Sequence, residues 1–139
     1  MPKIAGSIEI RATKDRVWEI ISDLDHEPDY WWGTKEVRNI SKEGITIDRE
    51  ITQNFRNHKI TQKVILRPKE EIETRYLKGL TEGVKLLKLE TVGDNTQKVT
   101  AAWDVHFPGI YILLTYFIAR HMRRGTTDAL DRIKKASES

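Results

Sequence analysis

After Pro108-Gly109 the chain runs to its end without another proline. That stretch can form one uninterrupted helix, from Ile110 through Arg132 and beyond, of roughly six turns or more. Its first half is almost wholly apolar: Ile110, Tyr111, Ile112, Leu113, Leu114, Tyr116, Phe117, Ile118. A basic turn follows in Arg120, His121, Arg123 and Arg124. The second half is amphipathic, with Met122, Thr126, Ala129, Leu130 and Ile133 at helical spacing. A helix of this length needs a broad apolar surface to lie on, and the rest of the chain must provide it.

The upstream pattern supplies a sheet. Ile4, Ile8 and Ile10 mark a strand over 3–11. Thr13 is a plausible N-cap for a short amphipathic helix over 14–23, with Asp15 favourable in its first turn. A second short helical element carries His26 to Trp32, and Gly33 closes it. From Thr34 the period switches to two. Strands are expected at 37–41, 45–55, 58–66, 71–77, 84–92 and 98–107. The alternation slips near Leu86-Leu87, where a bulge is expected. Six consecutive strands on short turns make an antiparallel meander, polar on one face, whose other face must be buried. The fold class is α+β: about seven curved antiparallel strands wrapped around a long C-terminal helix, with two short helices after the first strand. This helix-grip arrangement is expected to leave space between helix and sheet.

Composition narrows the function classes. The 139 residues suit one domain, 1–139, and 38% apolar with 32% charged is an ordinary balance. A net charge of +3, evenly spread, argues against nucleic acid. With no cysteine there is no thiolate chemistry, which fits a cytoplasmic location. His26, His58, His106 and His121 lack metal-ligand spacing, so neither a metal nor a cofactor is expected. The apolar run 110–119 is too short to span a bilayer.

The local sequence resembles the superfamily of START lipid-transfer domains, polyketide cyclases and the birch-pollen allergen. Ser7 to Ala12 leading into Val17 to Asp23 is similar to that superfamily's opening strand and helix. Pro28-Asp29-Tyr30-Trp31 sits where its proline-x-x-tryptophan-type motif falls. Pro108-Gly109 before a long helix containing Gly125-Thr126 also matches. The resemblance covers essentially the whole chain and implies a hydrophobic ligand held between helix and sheet. It supplies no shared catalytic motif.

Two groups of residues are candidates for that site. Arg49, Gln53, His58, Gln62 and Tyr76 fall in phase with the apolar positions of their strands, so they should face the helix. Unpaired polar groups there cost about 2–7 kcal/mol each, which suggests a ligand-filled or wet cavity with a few orienting groups. Trp103, Leu114, Phe117, Ile118 and His121 complete the expected lining, with His121 a candidate acid or base. Tyr30, Trp31, Trp32 and Tyr111 form the expected entrance gate. Arg120, Arg123 and Arg124 beside it would suit transient contact with an anionic membrane surface. The resulting reading is a binder or carrier of a lipid, quinone, isoprenoid or flat aromatic. A cyclase or aromatase using the same cavity is the alternative. A co-chaperone-like module gripping a protein with the outer sheet face ranks third. That face reads Thr46, Asp48, Glu50, Thr52 beside Lys59, Thr61, Lys63, a charged surface with little to grip.

Overall fold

Alternating side chains give each strand one dry face, and seven such strands join into a single sheet in the computed structural model. It describes residues 3–53, 57–78, 82–106 and 114–139. The strands are β1 (Lys3–Arg11), β2 (Thr34–Glu43), β3 (Thr46–Gln53), β4 (Lys59–Arg67), β5 (Glu71–Lys78), β6 (Glu82–Gly93) and β7 (Thr96–His106). All neighbours are antiparallel, in the order β1-β7-β6-β5-β4-β3-β2. The meander therefore runs from β2 to β7, and β1 closes onto its last strand.

The helices span the gap between the two sheet edges. α1 (Lys14–Ile21) starts at Thr13, whose side chain accepts a hydrogen bond from the Arg16 amide at 3.1 Å. A single 3-10 turn, Leu24–His26, leads into α2 (Glu27–Tyr30), with Pro28 in its first turn. The long helix α3 runs Thr115–Glu138 and lies along β1, beside α1. Its buried face is Ala119, Thr126, Ala129, Leu130, Ile133 and Ser137. The expected start at Ile110 lies outside the described residues.

The long helix and the short helical segment share the cover of the sheet. One apolar cluster joins Val17, Ile21 and Leu24 of the short helical segment to Leu130 and Ile133 of α3. From the sheet it takes Ile10, Ile47, Val64, Ile72, Leu87, Leu89, Val99 and Ala101. A second, smaller cluster holds Ile51, Ile60 and Tyr76, with Val37 and Trp103 against it. Fully burying such an Ile or Val contributes about 1.5–3 kcal/mol.

Two strand details differ from expectation. Ile45 sits in the β2–β3 turn and is exposed rather than inward. The irregularity of β6 falls between Thr91 and Gly93, not at Leu86-Leu87. The apparent slip arises because β6 keeps its phase with a lysine on the inward face: Lys85, Leu87 and Leu89 are all buried.

Candidate functional site

Between the two apolar clusters runs a polar belt. On β3 the inward sequence is Ile47, Arg49, Ile51; on β4 it is Val64, Gln62, Ile60. On β5 it is Ile72, Thr74, Tyr76, and on β6 Leu87 is followed by Lys85. Register puts these at one level: Arg49 pairs with Gln62, Thr74 with Lys85, and Lys85 with Trp103. A register shift between Thr61 and Gln62 also sets Tyr76 opposite Gln62.

Arg49 is 1% exposed, among the deepest side chains of the protein. Its Nε donates to Gln62 Oε1 at 2.8 Å and its Nη2 to Glu27 Oε1 at 2.6 Å. Glu27 is the first residue of α2, so this ion pair ties the short helix to the sheet floor. Thr34 Oγ1 donates to the other Glu27 oxygen at 2.8 Å. Burial pushes the Glu27 carboxyl up, but the charges of Arg49 and Lys85 and the hydrogen bonds from Arg49 and Thr34 outweigh it. Glu27 is held below the usual carboxylate range. Arg49 Nη1 is buried with no hydrogen-bond partner.

Lys85 is 7% exposed. Among the described residues its Nζ has no ion-pair partner. It lies instead over the Trp31 ring, 3.1 Å from the centroid, and 4.7 Å from the centroid of Trp103. Desolvation lowers the amine to about 7, with Glu27 opposing and Arg49 assisting. Trp31 meets Trp103 edge-on at 6.1 Å, and Trp103 stacks on Tyr76 at 5.8 Å. Gly83 of β6 pairs with Tyr76 on one side and Val105 on the other. Trp103 Nε1 donates to Thr126 Oγ1 of α3 at 3.2 Å. Burial, then the Glu27 charge, push the Tyr76 phenol well above its usual range, against Arg49 and a hydrogen bond from Gln62.

Beside this belt lies a pocket lined by Leu24, Glu27, Tyr30, Trp31, Thr74, Lys85 and Ile133, among others. The volume open to the centre of a water-sized sphere is about 20 Å³. That holds a water or two. Among the described residues, the space beside the belt is narrower than the chamber expected from the curved sheet, because the Trp31, Trp103, Tyr76 and Lys85 side chains crowd together there.

Of the residues singled out in the sequence, the structure brings together Arg49, Gln62, Tyr76, Trp103 and Trp31, with Tyr30 on the adjoining pocket wall. Gln53 and His58 are half-buried at the end of the sheet, where the Gln53 amide donates to the His58 carbonyl at 2.7 Å. Ile118 is half-buried. Leu114, Phe117 and His121 do not face the interior. Phe117 is 66% exposed, Leu114 and His121 are also exposed, and the Trp32 ring meets His121 edge-on at 5.3 Å. The reason is helical phase: the buried stripe through Ala119 and Thr126 leaves 114, 117 and 121 outside it. Tyr111 lies outside the described residues. Sequence reasoning missed Glu27, Thr34, Thr74 and Lys85. Lys85 carried a signal, since it shares the period of Leu87 and Leu89.

Among the described residues, no cluster of His, Asp or Glu could hold a metal ion, and no helix is long and apolar enough to cross a membrane.

A curved sheet holding polar groups inside its concave face, closed by a long C-terminal helix, defines a helix-grip protein. Residues 1–138 match the family described as polyketide cyclase / dehydrase and lipid transport, and the chain belongs to that family. No curated protein matches the sequence. Among solved structures, it is similar to a protein of Thermus thermophilus at 13% identity and TM-score 0.84, covering 98% of this chain and 97% of that one. The Zhui aromatase/cyclase from a Streptomyces species is similar at 14% identity and TM-score 0.81, covering 99% and 93%. Norcoclaurine synthase from Thalictrum flavum, in complex with dopamine and hydroxybenzaldehyde, is similar at 18% identity and TM-score 0.69, covering 95% and 85%.

Proposed function

We propose that the protein binds a small, flat, largely apolar molecule bearing an oxygen function, between α2, the inner sheet face and α3. The carrying observation is the belt itself. A buried guanidinium with one nitrogen unpartnered and a buried amine with no ion-pair partner among the described residues are costly in the interior. An oxygen-bearing ligand would supply the missing acceptor, while the faces of Trp31, Trp103 and Tyr76 suit an aromatic or conjugated body. The family's lipid transport and the small aromatic molecules held by the norcoclaurine synthase structure agree in ligand class. Binding requires the pocket to open, and α2, only four residues long, is the element whose movement would open it.

Exchange at an anionic membrane surface fits the same reading. Leu114, Tyr116, Phe117 and Trp32 are exposed large apolar side chains. Arg120, Arg123 and Arg124, all exposed, follow on the same helix with no acidic residue from Thr115 to Thr127. The cyclase alternative would draw its acid–base groups from Lys85, Tyr76 and Glu27, since His121 faces outward.

Native mass spectrometry of gently purified protein, against the same sample denatured, tests the binding reading. A mass excess lost on denaturation, with an extractable apolar compound, is the expected result. A clean apo mass, with no uptake from a panel of quinones, isoprenoids and flat aromatics, would overturn it.

A further inference from the structure

Lysine is among the residue types least often buried without a partner. Lys85 occupies an inward position in the middle of the sheet, between Thr74 and Trp103. Both carboxylates of its pocket have other partners, Glu27 in Arg49 and Thr34 and Asp23 in His26. What surrounds the Lys85 amine is therefore two tryptophan faces and a small pocket that it helps to line. A methionine would fill the same volume without the cost of desolvating an amine.

We propose that Lys85 is a carbonyl-reactive amine, forming a reversible imine with an aldehyde or ketone group of a flat apolar ligand. This rests on the ligand-binding reading above and names the substrate class within it. The Lys85 nitrogen lone pair attacks the carbonyl carbon and a C–N bond forms. The carbonyl π pair moves to oxygen, which takes up a proton as the nitrogen releases one. The hydroxyl then leaves as water with a second proton, and the C=N bond closes. One amine and one carbonyl give one imine and one water, with nothing oxidised or reduced. The space for a water or two beside the amine accommodates the proton carrier and the leaving water. A protonated imine would keep the cation–π contacts that the ammonium makes now and the Glu27 charge nearby. Desolvation, which holds the amine near 7, keeps a share of it unprotonated and nucleophilic at neutral pH. The charged groups acting on it are Glu27 from α2 and Arg49 from β3, and Asp23 and Tyr30 share its pocket.

The test is reductive trapping on the intact chain. Protein at pH 7 is incubated with naphthaldehyde and sodium cyanoborohydride, and the modified lysine is located by peptide mass mapping. Non-covalent binding is followed separately, through quenching of tryptophan fluorescence by naphthalenemethanol, which has no carbonyl. The expected result is an adduct on Lys85 forming roughly tenfold or more faster than on any other lysine, as its larger share of free amine requires. Lys85→Met, with a circular dichroism spectrum matching the parent, should lose that adduct while the exposed lysines label at the parent's rate. Labelling of Lys85 no faster than of exposed lysines, with the alcohol bound, would overturn the imine and leave the binding reading standing. Absence of binding by the alcohol together with absence of the adduct would overturn both.

Discussion

Glu27 and Arg49 meet at 2.6 Å across the interior, joining the first residue of a four-residue helix to the middle of β3, the strand beside the sheet edge. The pair is nearly dry, with side-chain exposures of 12% and 1%. Removing one partner leaves the other charge buried. Glu27→Gln is expected to destabilise the protein by about 3–5 kcal/mol. The double variant Glu27→Gln/Arg49→Met should be less destabilised than the sum of its singles. Urea denaturation of the full cycle measures this, and additive singles would show that the pair is not coupled.

Lys85 has the opposite effect on stability. Its folded amine is lowered from 10.5 to about 7. Below pH 7 the folded and unfolded chains both hold the proton, and the full cost of a buried charge is present. Between 7 and 10.5 the unfolded chain keeps the proton while the folded chain releases it, so this contribution to stability rises with pH. Lys85→Met should therefore stabilise the protein, and by roughly 1–3 kcal/mol more at pH 6 than at pH 9.5. A gain that is the same at both pH values would mean the amine stays charged throughout.

Gly83 is a position where only glycine fits. Its φ is 135°, and a Cβ there would collide with the Asp104 carbonyl oxygen and sit 2.8 Å from Val105 Cα. Gly83→Ala should cost about 3 kcal/mol or more, combining backbone strain with displacement of β7. The thermal midpoint reads it, and an unchanged midpoint would refute the close approach of β6 and β7.

Trp32 is 51% exposed, edge-on to His121 of α3. Trp32→Ala is expected to leave stability within about 0.5 kcal/mol of the parent. If this residue gates the pocket, stopped-flow measurements should show faster ligand exchange in the variant. Equal rates would remove it from the entrance.

Arg120, Arg123 and Arg124 give the start of α3 its charge. Reversing all three to Glu should abolish co-sedimentation with phosphatidylglycerol vesicles, at about 1 kcal/mol per basic residue. Binding to neutral phosphatidylcholine should stay weak in both proteins. Parent protein that ignores anionic vesicles would exclude this surface as a membrane contact.

The order of elements was legible because each carries its own period. Alternation at two marked β3 to β7, and the proline-free, partly amphipathic tail marked α3. The inward phase of Arg49, Gln62 and Tyr76 was legible for the same reason: a strand's two faces are set by residue parity alone. Parity also held for Lys85, but a lysine at an inward position mimics a slip of register when only the residue type is read. Other features depended on contacts distant in the chain. Glu27 stands in a helix too short to show a period, and only its meeting with Arg49, 22 residues on, makes it part of the belt. The outward turn of Leu114, Phe117 and His121 was decided by which stripe of α3 settles on β1. An apolar run has no internal mark of its buried side. Whether the interior is open was decided by tertiary structure as well, since it depends on how far the Trp31, Trp103 and Tyr76 rings from three separate elements reach toward one another.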